Sequence, residues 1–110
     1  MRTQRDAVRG STTGRPIMVL LDLLSRRWML RIIWELRGGA LTSRALRTAC
    51  DEISPTVLQT RVDELRDAGF VSRDPGVGYQ LTPLGRELLG KVLPLHALAD
   101  RWAAGRATRD

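Results

Sequence analysis

The chain has 110 residues, enough for one compact domain and too few for two. It is 43% apolar and 27% charged with a net charge of +6, a globular balance far from disorder, and it lacks the apolar run of about 18 residues that would suggest a membrane span. Cys50 is the one cysteine, which excludes an intrachain disulfide, and a single Cys with a single His (His96) argues against a zinc site; no cofactor-binding motif is visible.

Nearly all the basic residues are Arg, whose planar fork suits phosphate, and Lys91 is the only lysine. Much of the charge lies at the ends. Arg2, Arg5, Arg9 and Arg15 face only Asp6, and Arg101, Arg106 and Arg109 face only Asp110. The segment between them is nearly neutral, so net charge alone is a weak pointer to nucleic acid. Its distribution says more. Arg26, Arg27, Arg31, Arg37, Arg44 and Arg47 stand against Glu35 alone, whereas residues 51–67 are net acidic.

Residues 1–13 read as a flexible basic arm; they are polar, with no signal-peptide core, and the expected location is cytoplasmic. Ile17, Leu20, Leu21 and Leu24 then repeat at helical spacing behind Pro16, predicting a first helix to Leu24. Ser25 is the expected cap of a second, running from Arg26 to Arg37 with Trp28, Ile32, Ile33 and Leu36 on one face, and Gly38-Gly39 ends it. Ala40–Thr42 suits a short strand. A third helix follows over Ser43–Ala49 with Ala45, Leu46 and Ala49 inward, then a tight turn at residues 50–53. Ser54-Pro55 is a cap followed by a first-turn proline, opening a fourth helix to Ala68 with Leu58, Val62 and Leu65 as its core stripe. Phe70–Arg73 and Tyr79–Leu81 flank the turn Asp74-Pro75-Gly76-Val77-Gly78 and predict a β-hairpin. Thr82-Pro83 opens a fifth helix to about Ala104, with a kink or break expected at Pro94. A helix–turn–helix followed by a hairpin is the order of a winged helix. The expected fold is α+β and mostly helical, with residues 14–104 as the domain, helices at both ends for dimerisation, and 105–110 as a tail.

Three blocks of residues carry a resemblance. RPIMVLLDLLSRRWMLRIIWEL, LRTACDEISPTVLQTRVDELRDAGFVSRD and YQLTPLGREL, in this order, are similar to the HxlR-type winged helix-turn-helix regulators over about residues 15–103. The last two blocks alone would also fit MarR-type regulators; the first favours HxlR. The resemblance implies a homodimer on operator DNA, with the fourth helix in the major groove, the hairpin as a wing beside it, and the first and last helices building the dimer. It also implies three departures. Arg15 stands where family members often carry a cysteine that some use as a redox sensor, Thr42-Ser43 replaces the usual Arg-Phe pair, and the wing is short, with no basic residue at its tip.

The candidate DNA-binding residues follow. Thr56, Gln59 and Thr60 lie on the outer face of the fourth helix beside the cap Ser54, with Arg61 toward one flank; these residue types reach base edges and phosphates. Phosphate attraction is expected from Arg44, Arg47 and Arg73 around that acidic helix, as well as from the basic arm and Arg26-Arg27. Leu88, Val92, Leu95, Ala99 and Trp102 space as 4-3-4-3, a helix–helix seam, and with Ile17 and Leu21 they are the candidate dimer contacts. Trp34 suits a second packing surface or the wall of an inducer pocket. Cys50 reads as a small buried hydrophobe and His96 as structural or exposed. The expected partners are duplex DNA and a second copy, with any small-molecule effector unidentified. No Ser-His-Asp set, Cys/His pair or phosphate-cradling glycine loop points to an enzyme. The rival is a winged-helix module that docks protein instead of DNA.

Overall fold

A computed structural model describes residues 14–109, so the basic arm at 1–13 and Asp110 lie outside the described residues. In chain order the elements are α1 (Pro16–Ser25), α2 (Met29–Glu35) with a 3-10 turn at Leu36–Gly38, α3 (Ser43–Ala49), α4 (Pro55–Asp67), β1 (Val71–Asp74), β2 (Gly78–Leu81), α5 (Pro83–Val92) and α6 (Leu95–Arg109). The strands pair antiparallel, Val71 opposite Leu81 and Asp74 opposite Gly78. The short strand expected at residues 40–42 is a single bridge, in which Leu41 and Tyr79 exchange both backbone hydrogen bonds, at 2.9 and 2.8 Å.

One core holds these elements together. Met29, Ile32, Ile33 and Leu36 from the α2 segment, Leu46 from α3, and Leu58, Val62 and Leu65 from α4 are all essentially inaccessible, joined by Cys50, Ile53 and Leu89 and by the hairpin's Val71, Tyr79 and Leu81. Burying each large aliphatic chain contributes about 1.5–3 kcal/mol, which makes this cluster the main source of stability. In α3 the seven-residue pattern is partly misleading: Leu46 is buried and Ala49 half-buried, but Ala45 is exposed.

Three helix starts carry a hydroxyl cap, two of them the cap-plus-proline starts that the sequence predicts. The hydroxyls of Thr42, Ser54 and Thr82 accept from the backbone N–H groups of Ala45, Val57 and Gly85, each contributing about 1 kcal/mol. Ser25 is different. It is the last residue of α1, and its hydroxyl donates back to Asp22 O at 2.7 Å. The cap position of α2 belongs to Trp28, in the left-handed region at φ 80° with no side-chain cap, so α2 begins three residues later than the pattern predicts. A bulky residue is strained there; partial burial of the indole against the core offsets that strain.

Pro94 breaks the last helix completely. Leu93 and Pro94 form a turn between α5 and α6, because the ring has no N–H to continue the ladder. The second piece then runs to Arg109, through residues 105–109 that were expected to be tail.

Gly78 holds the turn end of β2 against the rest of the fold. Its φ is 122°, and a Cβ there would strike the carbonyl of Leu41. Only glycine lets β2 come close enough for the Leu41–Tyr79 bridge.

Candidate nucleic-acid interface

α3, the turn at residues 50–53 and α4 form a helix-turn-helix, and two arginines staple the turn. Asp51 and Glu52 both adopt φ 59°, a left-handed pair without glycine that needs support from elsewhere. Arg47 supplies part of it: its Nε donates to Ile53 O at 2.8 Å, and its Nη1 lies 3.7 Å from Glu52. Arg31 supplies the rest by donating to Ala49 O at 2.8 Å and to Asp51 at 3.2 Å. Its guanidinium also binds Glu35 at 2.7 Å, and that bond leads the interactions that raise its pKa.

α4 shows the two faces its sequence implies. Leu58, Val62 and Leu65 are buried, while Thr56, Gln59 and Thr60 are exposed. Thr60 donates to the Thr56 carbonyl at 3.0 Å, which leaves its hydroxyl oxygen able to accept. Gln59 Nε2 donates to Asp63 at 2.8 Å, an exposed bond that fixes the amide's direction without using its carbonyl oxygen. Ser54 remains at the helix entrance, occupied as the cap.

Beside this face lies an open cleft of about 480 Å³ between α4 and the wing. Gln59, Arg66 and Arg73 line it, with Thr42 and Ser43 from the start of α3 and the turn from Asp74 to Gly78. Sequence reasoning did not place Thr42, Ser43 and Arg66 beside this cleft. The signal for Arg66 was available: it follows Gln59 by seven residues, two helical turns on the same face. Within the wing, Asp74 Oδ1 accepts from Gly76 N–H at 3.2 Å, so this carboxylate is engaged in shaping the turn.

The candidate cations divide into two groups. Arg44 and Arg73 are exposed and have no polar partner among the described residues. Arg47 is committed to the turn. Arg61 does not reach the outer face: three-quarters of its side chain is covered, and its Nη1 donates to Glu64 at 2.6 Å. The other Glu64 oxygen takes Arg26 at 2.6 Å, and Arg26 also reaches Asp22 at 3.2 Å. The acidity of residues 51–67 therefore has local partners. Asp51, Glu52, Asp63 and Glu64 pair with Arg31, Arg47, Arg66 and the Arg26–Arg61 couple respectively.

The candidate dimer residues are also divided. Ile17 and Leu21 on α1 and Leu95 and Trp102 on α6 are more than half exposed, and Leu98 is 49% exposed. Leu88 and Val92 are half-buried, Leu88 against the chain's own core. The Pro94 break interrupts the expected 4-3-4-3 seam, so the outward apolar surface comes from α1 and α6 and not from one continuous helix. Trp34 is half-buried, with Arg37 stacked at 4.3 Å and the exposed His96 ring at 5.7 Å, a packing surface of the kind expected. Cys50 is fully buried, and burial pushes its thiol pKa up. Among the described residues no cluster of His, Cys, Asp or Glu could hold a metal, and no helix is long and apolar enough to cross a membrane.

Comparisons agree with this architecture. The HTH-type transcriptional regulator sll1512 of Synechocystis is 32% identical over 93 residues, 79% of this chain and 69% of its own length, and YvaP of Bacillus subtilis is 30% identical over 76% and 79%. Among solved structures, quinone-bound YodB from B. subtilis superposes with a TM-score of 0.72 at 29% identity, covering 79% of this chain and 97% of YodB. A protein from Thermoplasma volcanium described as an HxlR-family transcriptional factor gives 0.71 at 27%, over 80% and 84%. A MarR-family regulator from Enterococcus faecalis gives 0.73 at 26%, over 91% and 96%. The two-stranded hairpin packed on these helices is thus the winged-helix fold of HxlR and MarR regulators. The HxlR-like helix-turn-helix model matches residues 23–107, and the chain belongs to that family of transcriptional regulators.

Proposed function

We propose that this protein binds duplex DNA sequence-specifically as a homodimer and so regulates transcription. The observation that carries this is the outer face of α4. Thr56, Gln59 and Thr60 stand uncovered beside a cleft whose far wall is the wing, Arg73 lines that cleft, and neither Arg73 nor the exposed Arg44 of α3 has an acid partner among the described residues. An α-helix fits the major groove, where a Gln amide can bond an adenine edge in two places and a Thr methyl can meet a thymine methyl. Arg44 and Arg73 supply backbone attraction without sequence information. The wing has no cation in its turn, so its contribution is Arg73 on β1, one pair before the turn.

A dimer follows from the apolar surface that one chain leaves open. Ile17 and Leu21 of α1, with Leu95, Leu98 and Trp102 of α6, form outward faces that a second copy would cover. Two reading helices related by a twofold axis address half-sites about one helical turn apart.

The test is selection of bound fragments from a genomic library by the purified protein, followed by fluorescence anisotropy on the selected and scrambled duplexes at several salt concentrations. Tighter binding to the selected duplex, with affinity falling as salt rises, supports the proposal. Absence of duplex binding at low salt would overturn it and would favour the protein-docking reading.

A further inference from the structure

The ion-pair chain on the flank of α4 has a role that neither the core nor the reading face requires. No residue of α1 is buried within the chain, and α1 packs mainly on α2. Leu20, Leu23 and Leu24 lean half-buried against the core, while the outer face carries Ile17 and Leu21. A polar link to α4 adds to this packing. Arg26, in the turn after α1, bridges Asp22 of α1 and Glu64 of α4, and Arg61 occupies the remaining Glu64 oxygen. All four side chains are at least two-thirds covered, and Asp22 is 9% exposed, so solvent and salt screen these pairs less than an ordinary surface pair. The backbone reinforces the arrangement. Arg26 is extended at ψ 141°, and the left-handed Trp28 two residues later fixes the path into α2.

We propose that Arg26 and Glu64 are positioning residues that set the angle of α4 against α1, and thereby the half-site spacing that the dimer accepts. This rests on the reading above, in which α4 meets DNA and α1 meets the partner copy. The lever is short. α4 has 13 residues and is thus about 20 Å long. A tilt of roughly 10° moves its far end by about 3.5 Å, close to one base-pair rise. Loosening the ion-pair chain therefore blurs spacing by about one base pair while leaving each reading face intact.

The experiment uses the full chain and duplexes carrying two selected half-sites, with spacing varied one base pair at a time, plus a duplex with one half-site. The variants are Glu64→Gln and Arg26→Gln, with Arg26→Lys as the conservative change: its ammonium reaches Glu64 but cannot bridge to Asp22 with a planar fork. The expected result is a loss of about fivefold or more in the preference for the best spacing over its neighbours. Dimer mass and the preference for a selected over a scrambled single half-site should be unchanged, and Arg26→Lys should lie between wild type and Arg26→Gln. A purely structural role would instead weaken all duplexes together. Folded, dimeric Gln variants that keep the wild-type spacing preference would refute the inference alone. So would variants that fail to fold, since a positioning role requires the fold to stand without the chain of ion pairs. Wild-type protein that binds no duplex would refute the underlying DNA-binding reading as well.

Discussion

Arg47 and Arg44 lie three residues apart on α3, and the account requires them to fail in different ways. Arg47→Ala removes the Nε bond to the Ile53 carbonyl at 2.8 Å and the looser pair with Glu52 at 3.7 Å. A hydrogen bond from a charged donor is worth about 1.5–3 kcal/mol. With the Arg47 side chain 42% exposed, the lower end applies. The Glu52 pair is more exposed still and adds about 0–1 kcal/mol. The loss is therefore about 2 kcal/mol, and the left-handed residues Asp51 and Glu52 lose part of what offsets their strain. For a domain of this size that lowers the melting temperature by roughly 10 °C. Arg44 has no side-chain partner among the described residues, so Arg44→Ala should leave the melting temperature unchanged. It should instead flatten the slope of log affinity against log salt by about 0.9 per lost phosphate contact, and by about twice that in a dimer. Thermal melts at one fixed protein concentration, together with anisotropy on a scrambled duplex across a salt series, give both readings. An Arg47→Ala variant that melts like wild type while flattening the salt slope would refute the assignment of Arg47 to the turn.

Other outcomes follow from the same contacts. Light scattering at micromolar concentration should give twice the chain mass of 12.3 kDa, and Leu95→Asp or Trp102→Asp should shift it toward the monomer by placing a charge in the apolar contact; a monomer at every concentration would contradict the dimer. Cys50 is fully buried and its thiol pKa is raised, so maleimide or disulfide reagents should modify it only as fast as the chain unfolds. DNA affinity that drops on peroxide or quinone treatment and recovers in Cys50→Ser would overturn that. Arg73→Ala should weaken binding to selected and scrambled duplexes alike, because phosphate contacts do not distinguish sequences; loss confined to the selected duplex would instead make Arg73 a base reader.

Some of this molecule was legible in its sequence because the responsible physics is local. Ser54-Pro55 and Thr82-Pro83 combine a cap with a residue that suits only the first turn, and Leu58, Val62 and Leu65 repeat at the helical period, so α4 and its exposed face could be placed to within a residue. Pro94 announced the break between α5 and α6 for the same reason. What escaped was set by contacts distant along the chain. Trp28 is left-handed because core packing outweighs a preference that would have placed it inside the helix. Arg47 and Arg61 have the composition of phosphate ligands, but Ile53 and Glu64 hold them first. A cation's partner depends on which acid or carbonyl the fold brings near, and spacing along one helix gives only part of that. The net acidity of residues 51–67 misled in the same way, since Arg31 and Arg26 come from α2 and from the turn after α1.

The central claim is that the outer face of α4 discriminates between DNA sequences, and Gln59 tests it most directly. Its side chain is exposed, lines the cleft and is held in direction by Asp63, but it has no part in the core. The measurement is anisotropy of Gln59→Ala and wild type on the selected duplex and on duplexes changed at each position of the half-site. The account predicts that preference is relaxed at one base position by about 1–3 kcal/mol per half-site, with unchanged affinity for scrambled DNA and an unchanged salt slope. If Gln59→Ala, and likewise Thr56→Ala and Thr60→Ala, leave every positional preference as in wild type, α4 is not the reader.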